Sequence, residues 1–309
     1  MAVPNFEILN LADMTALQTI EKYLGGDYQI TPCETEADYY ALWAARNIGD
    51  LPQQACAIAG AMLADRLPWV FTAGYQATLR SAFPMLPQGG WAAFAATEDT
   101  VDSAAHPGTT LASANGAYKL NGTKAWVAHS AAVDHLIVTV NDPTGDKCKA
   151  RGLIVERDRA GVRLTHRDKP GFLSAMSQGF ANFNDVQIAP NEIFEFEAIR
   201  QFGRSEAKFV TLAASAFMLA RTEEATELHD RLINTVAAIG SLLAEQHTSR
   251  QVYASIDREF QRCVDIFEQQ VAVDGIPDYA ADRKMFRMYS DRIQRRRDYA
   301  KRDIQQKGK

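Results

Sequence analysis

The feature that most constrains the fold is a change of hydrophobic period near residue 91 and a second change near residue 200. Residues 1–90 and 201–309 repeat apolar residues at helical spacing, whereas residues 91–200 contain short alternating runs separated by turn signals. Helices, then strands, then helices predict an α+β protein whose middle part is a compact antiparallel barrel or sandwich. We therefore predict a helical domain over 1–90, a β domain over 91–200 and a helical bundle over 201–309.

Capping and turn residues place the individual elements. Thr35 with Asp38 predicts the start of a helix by a capping box, and Pro52 suits the first turn of the next helix. Asn121-Gly122 predicts a hairpin within Ala117–Val127. Further strands are predicted at His135–Val140, Gly152–Glu156, Val162–Arg167 and Phe180–Ile188, and later helices at Phe209–His229, Asp230–Gln246, Ser249–Val273 and Ala281–Gln305.

Composition favours a soluble cytoplasmic protein. The chain has 309 residues, of which 47% are hydrophobic and 23% charged, as is typical of globular proteins. The N-terminus lacks the basic and apolar regions of a secretory signal, and no run approaches the ~20 apolar residues that span a bilayer. Four scattered cysteines predict reduced thiols, and the six histidines show no metal-ligand spacing, so we predict no metal.

Charge is distributed unevenly along the chain. The formal net charge is −5, yet Arg283–Lys309 holds eleven basic and three acidic residues and so carries +8. Such a basic segment can bind nucleic acid, but its apolar residues recur at near-helical spacing: Met285, Phe286, Met288, Tyr289, Ile293 and Tyr299. We favour an amphipathic helix that docks on its own bundle or on a partner, because the acidic remainder disfavours nucleic acid as the main ligand.

Three stretches in order resemble the signature segments of acyl-CoA dehydrogenases. They are Phe94-Ala-Ala-Thr-Glu98, Asn121-Gly-Thr-Lys-Ala-Trp126 and Phe183-Asn-Asp-Val-Gln-Ile-Ala-Pro190. The resemblance covers about Asn5 to Gln270. It implies a helical N-terminal domain, an antiparallel β-barrel and a C-terminal helical bundle, which is shortened here, with FAD as cofactor and an acyl-CoA as substrate.

The resemblance also implies roles for individual residues. Phe94 takes the family's usual aromatic position, Thr97 hydrogen-bonds the flavin ring and Trp126 flanks the flavin. Ser103 falls where a serine contacts phosphate or substrate, and Ala128 falls where a Thr or Ser hydroxyl meets the flavin. Each has a structural alternative, since strand aromatics are often core residues and loop hydroxyls often make local turns.

Several positions depart from the family pattern. Asp99–Ala104 replaces a loop with Pro and two glycines, and Asp102 puts a negative charge where an anion should pass. Ala128 lacks a hydroxyl, for which His129 or Ser130 could substitute. Val236 and Ile239 stand, before Gly240, where most members carry the Arg and Phe that grip a neighbouring subunit's FAD.

The catalytic base is the least defined part of the pattern. A minority of the family places its glutamate on the first helix of the bundle, where Glu206 is the carboxylate at hand. A solvated glutamate near a helix N-terminus is the alternative, because the macrodipole favours it there.

Two functions follow from the resemblance. The first is FAD-dependent α,β-desaturation of an acyl-CoA in fatty acid metabolism by a homodimer or homotetramer, with an electron-transfer flavoprotein as a possible oxidant. The second is a degenerate subunit without catalysis that needs a complete paralogue in a mixed assembly. A binding protein that acts through its basic C-terminal helix is a third alternative.

Overall fold

The computed structural model describes residues 18–21, 29–114, 117–142, 149–168, 170–245 and 249–294. Of the predicted first helix, only the helical residues 18–21 fall within these ranges. Cys148, the turn residues 143–145, Lys169 and the basic run Arg295–Arg297 lie outside the described residues.

Seven α-helices are defined in this part of the chain. In order they are α1 (Glu36–Ala45), α2 (Gln53–Leu63), α3 (Leu67–Ala82), α4 (Phe196–Leu219), α5 (Glu227–Ala244), α6 (Arg250–Gln270) and α7 (Tyr279–Asp282). Short 3-10 turns lie at Ile48–Asp50, Pro190–Glu192, Val273–Gly275 and Arg283–Arg287.

Capping explains where two of these helices begin. The Thr35 hydroxyl accepts the Asp38 amide at 3.2 Å, and Asp38 accepts the Thr35 amide at 2.9 Å, so the predicted capping box opens α1. Thr226 likewise accepts the His229 amide and opens α5. The single helix predicted over Phe209–His229 is therefore wrong, because α4 ends at Leu219 and a new capped helix follows.

The middle of the chain forms one eight-stranded sheet. Its strands are β1 (Ala92–Ala95), β2 (Thr110–Ala114), β3 (Ala117–Ala128), β4 (His135–Asp142), β5 (Lys149–Glu156), β6 (Val162–His166), β7 (Gln178–Ile188) and β8 (Ile193–Phe194). The order is β6-β7-β3-β2-β4-β5-β8, and β1 pairs with β4. Most pairings are antiparallel as predicted, whereas β1 and β2 each run parallel to β4. The α+β class is confirmed.

The hairpin predicted at Asn121-Gly122 is wrong. Strand β3 runs through both residues, and its register against β7 shifts between Leu120 and Gly122. Gly122 has φ +114°, and a Cβ there would lie 2.4 Å from the carbonyl oxygen of Gly108. A β-bulge and a two-residue hairpin turn both favour a glycine with positive φ, so the sequence alone does not distinguish them. At Gly122 the structure has a bulge.

Backbone contacts divide the chain into two compact units. The helical unit comprises residues 1–32, 51–77 and 206–309, and the β unit comprises residues 33–50 and 78–205. The β unit encloses an apolar core that includes Leu120, Val127, Leu136 and Phe183. Helix α1 belongs to the β unit, while α2 belongs to the helical unit. The three-domain division at residues 90 and 200 stays a prediction.

Close backbone packing marks the helical unit. A Cβ at Gly74 of α3 would lie 2.6 Å from the Cα of Val210 of α4, so the two helices touch through their backbones there. No helix among the described residues is long and apolar enough to cross a membrane.

Candidate functional site

Trp126 lies on the outer side of β3 in the β unit. Its indole is half-buried, and its Nε1–H donates to Oε1 of Gln178 at 3.1 Å. Gln178 in turn donates through Nε2 to the carbonyl of Phe172 at 2.7 Å. Because the polar edge of the indole is bound, the ring is held in one orientation.

Thr97 lies beside this tryptophan. The Thr97 carbonyl accepts the amide of Ala125 at 2.7 Å, so the segment after β1 is tied to the strand that carries Trp126. The Thr97 residue is exposed, whereas Ala125 is buried. The structure thus ties the backbone of Thr97 to the residue before Trp126, and the roles of these two residues at a flavin stay a prediction.

Phe94 lies elsewhere on the β unit. It is half-buried on β1, its ring centroid is 4.3 Å from that of Phe202, and it stacks on Phe83 at 6.1 Å. Phe83 also contacts Phe194 at 5.3 Å. These rings form an aromatic cluster, so the packing alternative accounts for Phe94, and its role at a cofactor stays a prediction.

A buried ion pair anchors the loop that follows Thr97. Lys124 is 1% exposed, and its ammonium donates to Oε1 of Glu98 at 2.9 Å. The Thr109 amide and hydroxyl also donate to Glu98, at 3.1 and 2.9 Å. Burial raises the pKa of Glu98, but the hydrogen bonds from Lys124 and Thr109 outweigh it and leave that pKa below its ordinary value. Burial lowers the pKa of Lys124.

The loop itself binds its own backbone amides. Asp99 Oδ1 accepts the amides of Val101 and Asp102 at 2.9 and 3.0 Å, and Asp102 Oδ1 accepts the amide of Ala105 at 3.0 Å. The amides of Asp102 and Val101 hold the pKa of Asp99 below its ordinary value. Ser103 is exposed within this turn. The loop offers carboxylates rather than these amides to an approaching anion, and a contact of Ser103 with phosphate or substrate stays a prediction.

The polar side chains that follow β3 bind other side chains of the β unit. Ala128 is fully buried and pairs with Gln178. His129 adopts φ +57°, and its Nδ1 lies 2.8 Å from Oε1 of Glu36. The Ser130 hydroxyl lies 2.9 Å from Nδ1 of His166. Both groups thus have a partner within the β unit, and whether either replaces the hydroxyl that Ala128 lacks stays a prediction.

Glu206 lies on α4 in the helical unit and is half-buried. Burial raises the pKa of its carboxyl above the ordinary value, while a hydrogen bond with Tyr289 and the nearby cation of Arg292 act in the opposite direction. The solvated alternative is thus wrong, because the carboxyl has a specific partner inside the unit. Whether Glu206 acts as a base stays a prediction.

The residues at the family's FAD-gripping positions are core residues. Val236 and Ile239 are fully buried on α5, and the carbonyl of Gly240 accepts a hydrogen bond from Gln54 at 3.2 Å. Lys208, near the family's substrate arginine, donates to the carbonyl of Leu242 at 3.0 Å. These side chains stabilise the end of α5.

Sequence reasoning missed a polar and aromatic surface beside Trp126. The Phe180 ring stacks with His106 at 4.9 Å and lies 4.7 Å from the guanidinium of Arg167. Arg167 also donates to the carbonyl of Ala125 at 2.7 Å. Alternation along β7 could have predicted that Phe180 and Gln178 share a face, but their partners come from segments that only the fold brings near.

Arg167 also borders a cavity of about 460 Å³ in the β unit. Its wall includes the start of α1 and the loop around Ser174 and Met176. Among the described residues, no group of three or more His, Cys, Asp and Glu side chains is placed to hold a metal ion.

A known family model matches the strand-rich middle of the chain. Residues 93–186 match the family model "Acyl-CoA dehydrogenase, middle domain". The match covers only this middle part of the chain, and it contains Thr97, Trp126 and Ala128 but not Glu206. No curated protein sequence matches the chain.

Solved structures share the fold along nearly the whole chain. PigA with FAD and proline is 14% identical, with a TM-score of 0.64 and 97% of this chain and 100% of that chain covered. A FAD-dependent dehydrogenase is 11% identical, with a TM-score of 0.61 and 91% and 93% covered. An acyl-CoA dehydrogenase from Geobacillus kaustophilus is 14% identical, with a TM-score of 0.56 and 93% and 98% covered.

Proposed function

We propose that this protein is a FAD-binding oxidoreductase of the acyl-CoA dehydrogenase type. The observation that carries the proposal is the match of residues 93–186 to an acyl-CoA dehydrogenase middle domain, which contains Thr97 and an orientated Trp126. An aromatic face beside a hydroxyl suits a flavin, whose ring system has an apolar face and a polar edge.

The residues around Trp126 fit the flavin ring of FAD better than they fit its phosphates. The indole edge of Trp126 is bound to Gln178, which fixes the orientation of the ring. Thr97 would donate or accept one hydrogen bond at the polar edge of the ring. The loop from Asp99 to Ala105 is less suited to a pyrophosphate, because the carboxylates of Asp99 and Asp102 already accept its amides. We therefore assign the ring to Trp126 and Thr97 and assign no phosphate contact to Ser103.

The reaction that we propose is α,β-desaturation of an acyl-CoA thioester. Bound FAD supplies a hydride acceptor. Glu206 would take the proton from the α-carbon onto its carboxylate, because burial makes this carboxylate a stronger base than an exposed one. We further propose a homodimer or homotetramer, and an electron-transfer flavoprotein as the acceptor of the electrons.

A second candidate function is that of a subunit without catalysis, and specific observations favour it. Ala128 is buried without a hydroxyl, the Asp99–Ala105 loop binds its own amides, and Val236 is packed in the core. In this case the chain would keep the fold and would assemble with a complete paralogue that supplies the missing contacts.

An anaerobic titration separates the two functions. The purified protein is loaded with FAD and mixed with acyl-CoA thioesters of short, medium and branched chains while the flavin absorbance is followed. An active dehydrogenase bleaches its flavin with at least one thioester, and Trp126→Ala lowers FAD loading. Tyr118→Leu is the matched control, since Tyr118 is another half-buried aromatic residue on β3.

The outcomes differ for each function. Stable FAD loading without bleaching by any thioester would favour the non-catalytic subunit over the dehydrogenase. Equal loss of FAD from Trp126→Ala and Tyr118→Leu would remove Trp126 from the proposed site.

A further inference from the structure

A β-bulge brings two aromatic residues together on the sheet. The register of β3 against β7 shifts between Lys124 and Val127, so that Ala125 and Trp126 together oppose Phe180. Bulges re-aim the side chains beside them and are common next to functional sites. Trp126 and Phe180 are therefore neighbours across the two strands.

Two nitrogen-bearing side chains lie against the Phe180 ring. The His106 imidazole stacks on this ring, with centroids 4.9 Å apart and an interplanar angle of 19°. The Arg167 guanidinium lies 4.7 Å from the ring centroid, within the range of a cation–π contact. Its Nη2 also donates to the Ala125 carbonyl at 2.7 Å, so Arg167 spans the bulge next to Trp126. We call Trp126, Phe180, His106 and Arg167 the bulge surface.

Arg167 is held in place but remains accessible. The residue is exposed and also borders the cavity of about 460 Å³ in the β unit. A guanidinium has five N–H donors in a planar fork that matches two oxygens of a phosphate, and stacking on a ring fixes the plane of that fork. An exposed and stacked arginine is therefore suited to bind a phosphate.

An acidic group, Asp99, lies near the bulge surface. The amides of Asp102 and Val101 are the main cause of the lowered pKa of Asp99, and the charges of His106 and Arg167 add to it. Oδ1 of Asp99 accepts those two amides at 3.0 and 2.9 Å, so the side chain is held by its own loop. Its negative charge opposes an anion that binds at Arg167.

We propose that Arg167 binds a phosphate of the ligand at the bulge surface, with the Phe180 ring as its support and the His106 imidazole as a second donor. The positive charge for the phosphate thus comes from the residue after β6, because the loop Asp99–Ala105 binds its own amides. FAD and acyl-CoA both carry a diphosphate, so the identity of the ligand rests on the proposed function. The phosphate chemistry of Arg167 does not.

Three flavins with different phosphate content test this assignment. FAD, FMN and riboflavin share the flavin ring but carry a diphosphate, a monophosphate and no phosphate. Arg167→Gln should weaken the binding of FAD and FMN by about tenfold, the effect of losing one charge-assisted hydrogen bond, and leave riboflavin binding unchanged. Arg163→Gln is the matched control, because Arg163 is another exposed arginine on β6, and its affinities should equal those of wild type.

Coenzyme A provides a probe without a flavin ring. If calorimetry shows that Arg167→Gln weakens the binding of coenzyme A but not of FAD, the phosphate is that of the substrate, whereas the reverse result assigns it to the cofactor. Asp99→Asn keeps the Oδ1 acceptor of the loop and removes its negative charge, so it should tighten the binding of the same ligand by about threefold. This gain is measured whether or not Arg167→Gln folds.

Unchanged affinities for FAD, FMN and coenzyme A in both variants overturn the inference. An equal loss of riboflavin and FAD binding in Arg167→Gln also overturns it, because that loss marks a structural role. A protein that takes up no flavin but binds coenzyme A through Arg167 keeps the inference and rejects the proposed flavoprotein. A protein that binds none of these probes overturns both.

Discussion

Two glutamates in the two units are held in opposite ways. In the β unit, Glu98 pairs with the buried Lys124 and accepts two further hydrogen bonds from Thr109, which leaves its pKa below the ordinary value. In the helical unit, Glu206 is half-buried, and its pKa is above the ordinary value because burial dominates.

The contrast separates two settings of a carboxylate. A carboxylate with a buried countercharge is a weak base, and its charge secures the loop between β1 and β2. A carboxylate whose pKa is raised by burial keeps more basicity, as a group that takes a proton requires. A catalytic role for Glu206 stays a prediction.

The largest expected effect comes from Glu98→Gln. The substitution leaves the Lys124 ammonium buried without its countercharge. We expect the free energy of unfolding to fall by about 3 kcal/mol, as for other buried ion pairs that lose one partner. Denaturant unfolding at neutral pH measures this change. Because the pKa of Glu98 is lowered by folding, its carboxylate stabilises the wild type above pH 4.5, and this stabilisation is lost as the pH falls through the folded pKa. The acid-dependent loss of stability should be absent in Glu98→Gln.

Lys124→Met is the matched control for that prediction. It removes the buried charge but keeps most of the packing, and the Glu98 side chain is 37% exposed and still accepts from Thr109. The loss should therefore be about 1 kcal/mol, less than for Glu98→Gln. An equal or greater loss in Lys124→Met would contradict the argument from charge burial.

A smaller effect is expected from Thr109→Val. The Thr109 hydroxyl donates to Glu98 at 2.9 Å and lies 3.2 Å from the carbonyl of Thr139. Its loss should cost about 1 kcal/mol in unfolding free energy, since the amide of Thr109 continues to donate to Glu98. In the double variant with Glu98→Gln the cost should shrink, because the charged acceptor is already gone. If the losses of the two single variants simply add in the double variant, the Thr109 hydroxyl does not act through Glu98.

The smallest effect, opposite in sign, is expected from Glu206→Gln. A carboxyl whose pKa is raised by folding stabilises the protein at pH values below its ordinary pKa. This stabilisation is lost as the pH rises through the raised pKa of the folded state. Wild type should therefore lose stability between the ordinary and the raised pKa, while Glu206→Gln should not. Thermal unfolding from pH 4 to 8 measures the two curves, and parallel curves would show that Glu206 is not held as described.

Local signals predicted much of the fold but not its register. The capping box at Thr35 needs only neighbouring residues and is confirmed, as is the α+β order of the elements. The hairpin at Asn121-Gly122 is wrong because positive φ serves a bulge in β3. A second Asn-Gly pair, at 115–116, lies between β2 and β3, and those residues are outside the described ranges.

The candidate site was predictable only where the family pattern reaches. Thr97 and Trp126 follow from their motifs, and the backbone of Thr97 is hydrogen-bonded to Ala125, the residue before Trp126. The partner of Trp126 is 52 residues away, and the partner of Glu206 comes from the C-terminal segment. Such pairs depend on strand register and helix docking, which short motifs do not encode.

The most direct test of the account is a FAD titration of the purified protein, followed by visible absorbance and by quenching of flavin fluorescence. We expect saturable binding with a resolved flavin spectrum, and a clear loss of affinity in Trp126→Ala but not in Tyr118→Leu. A protein that shows no flavin absorbance as purified and takes up no FAD would contradict the proposed flavin site on the acyl-CoA dehydrogenase-like middle domain.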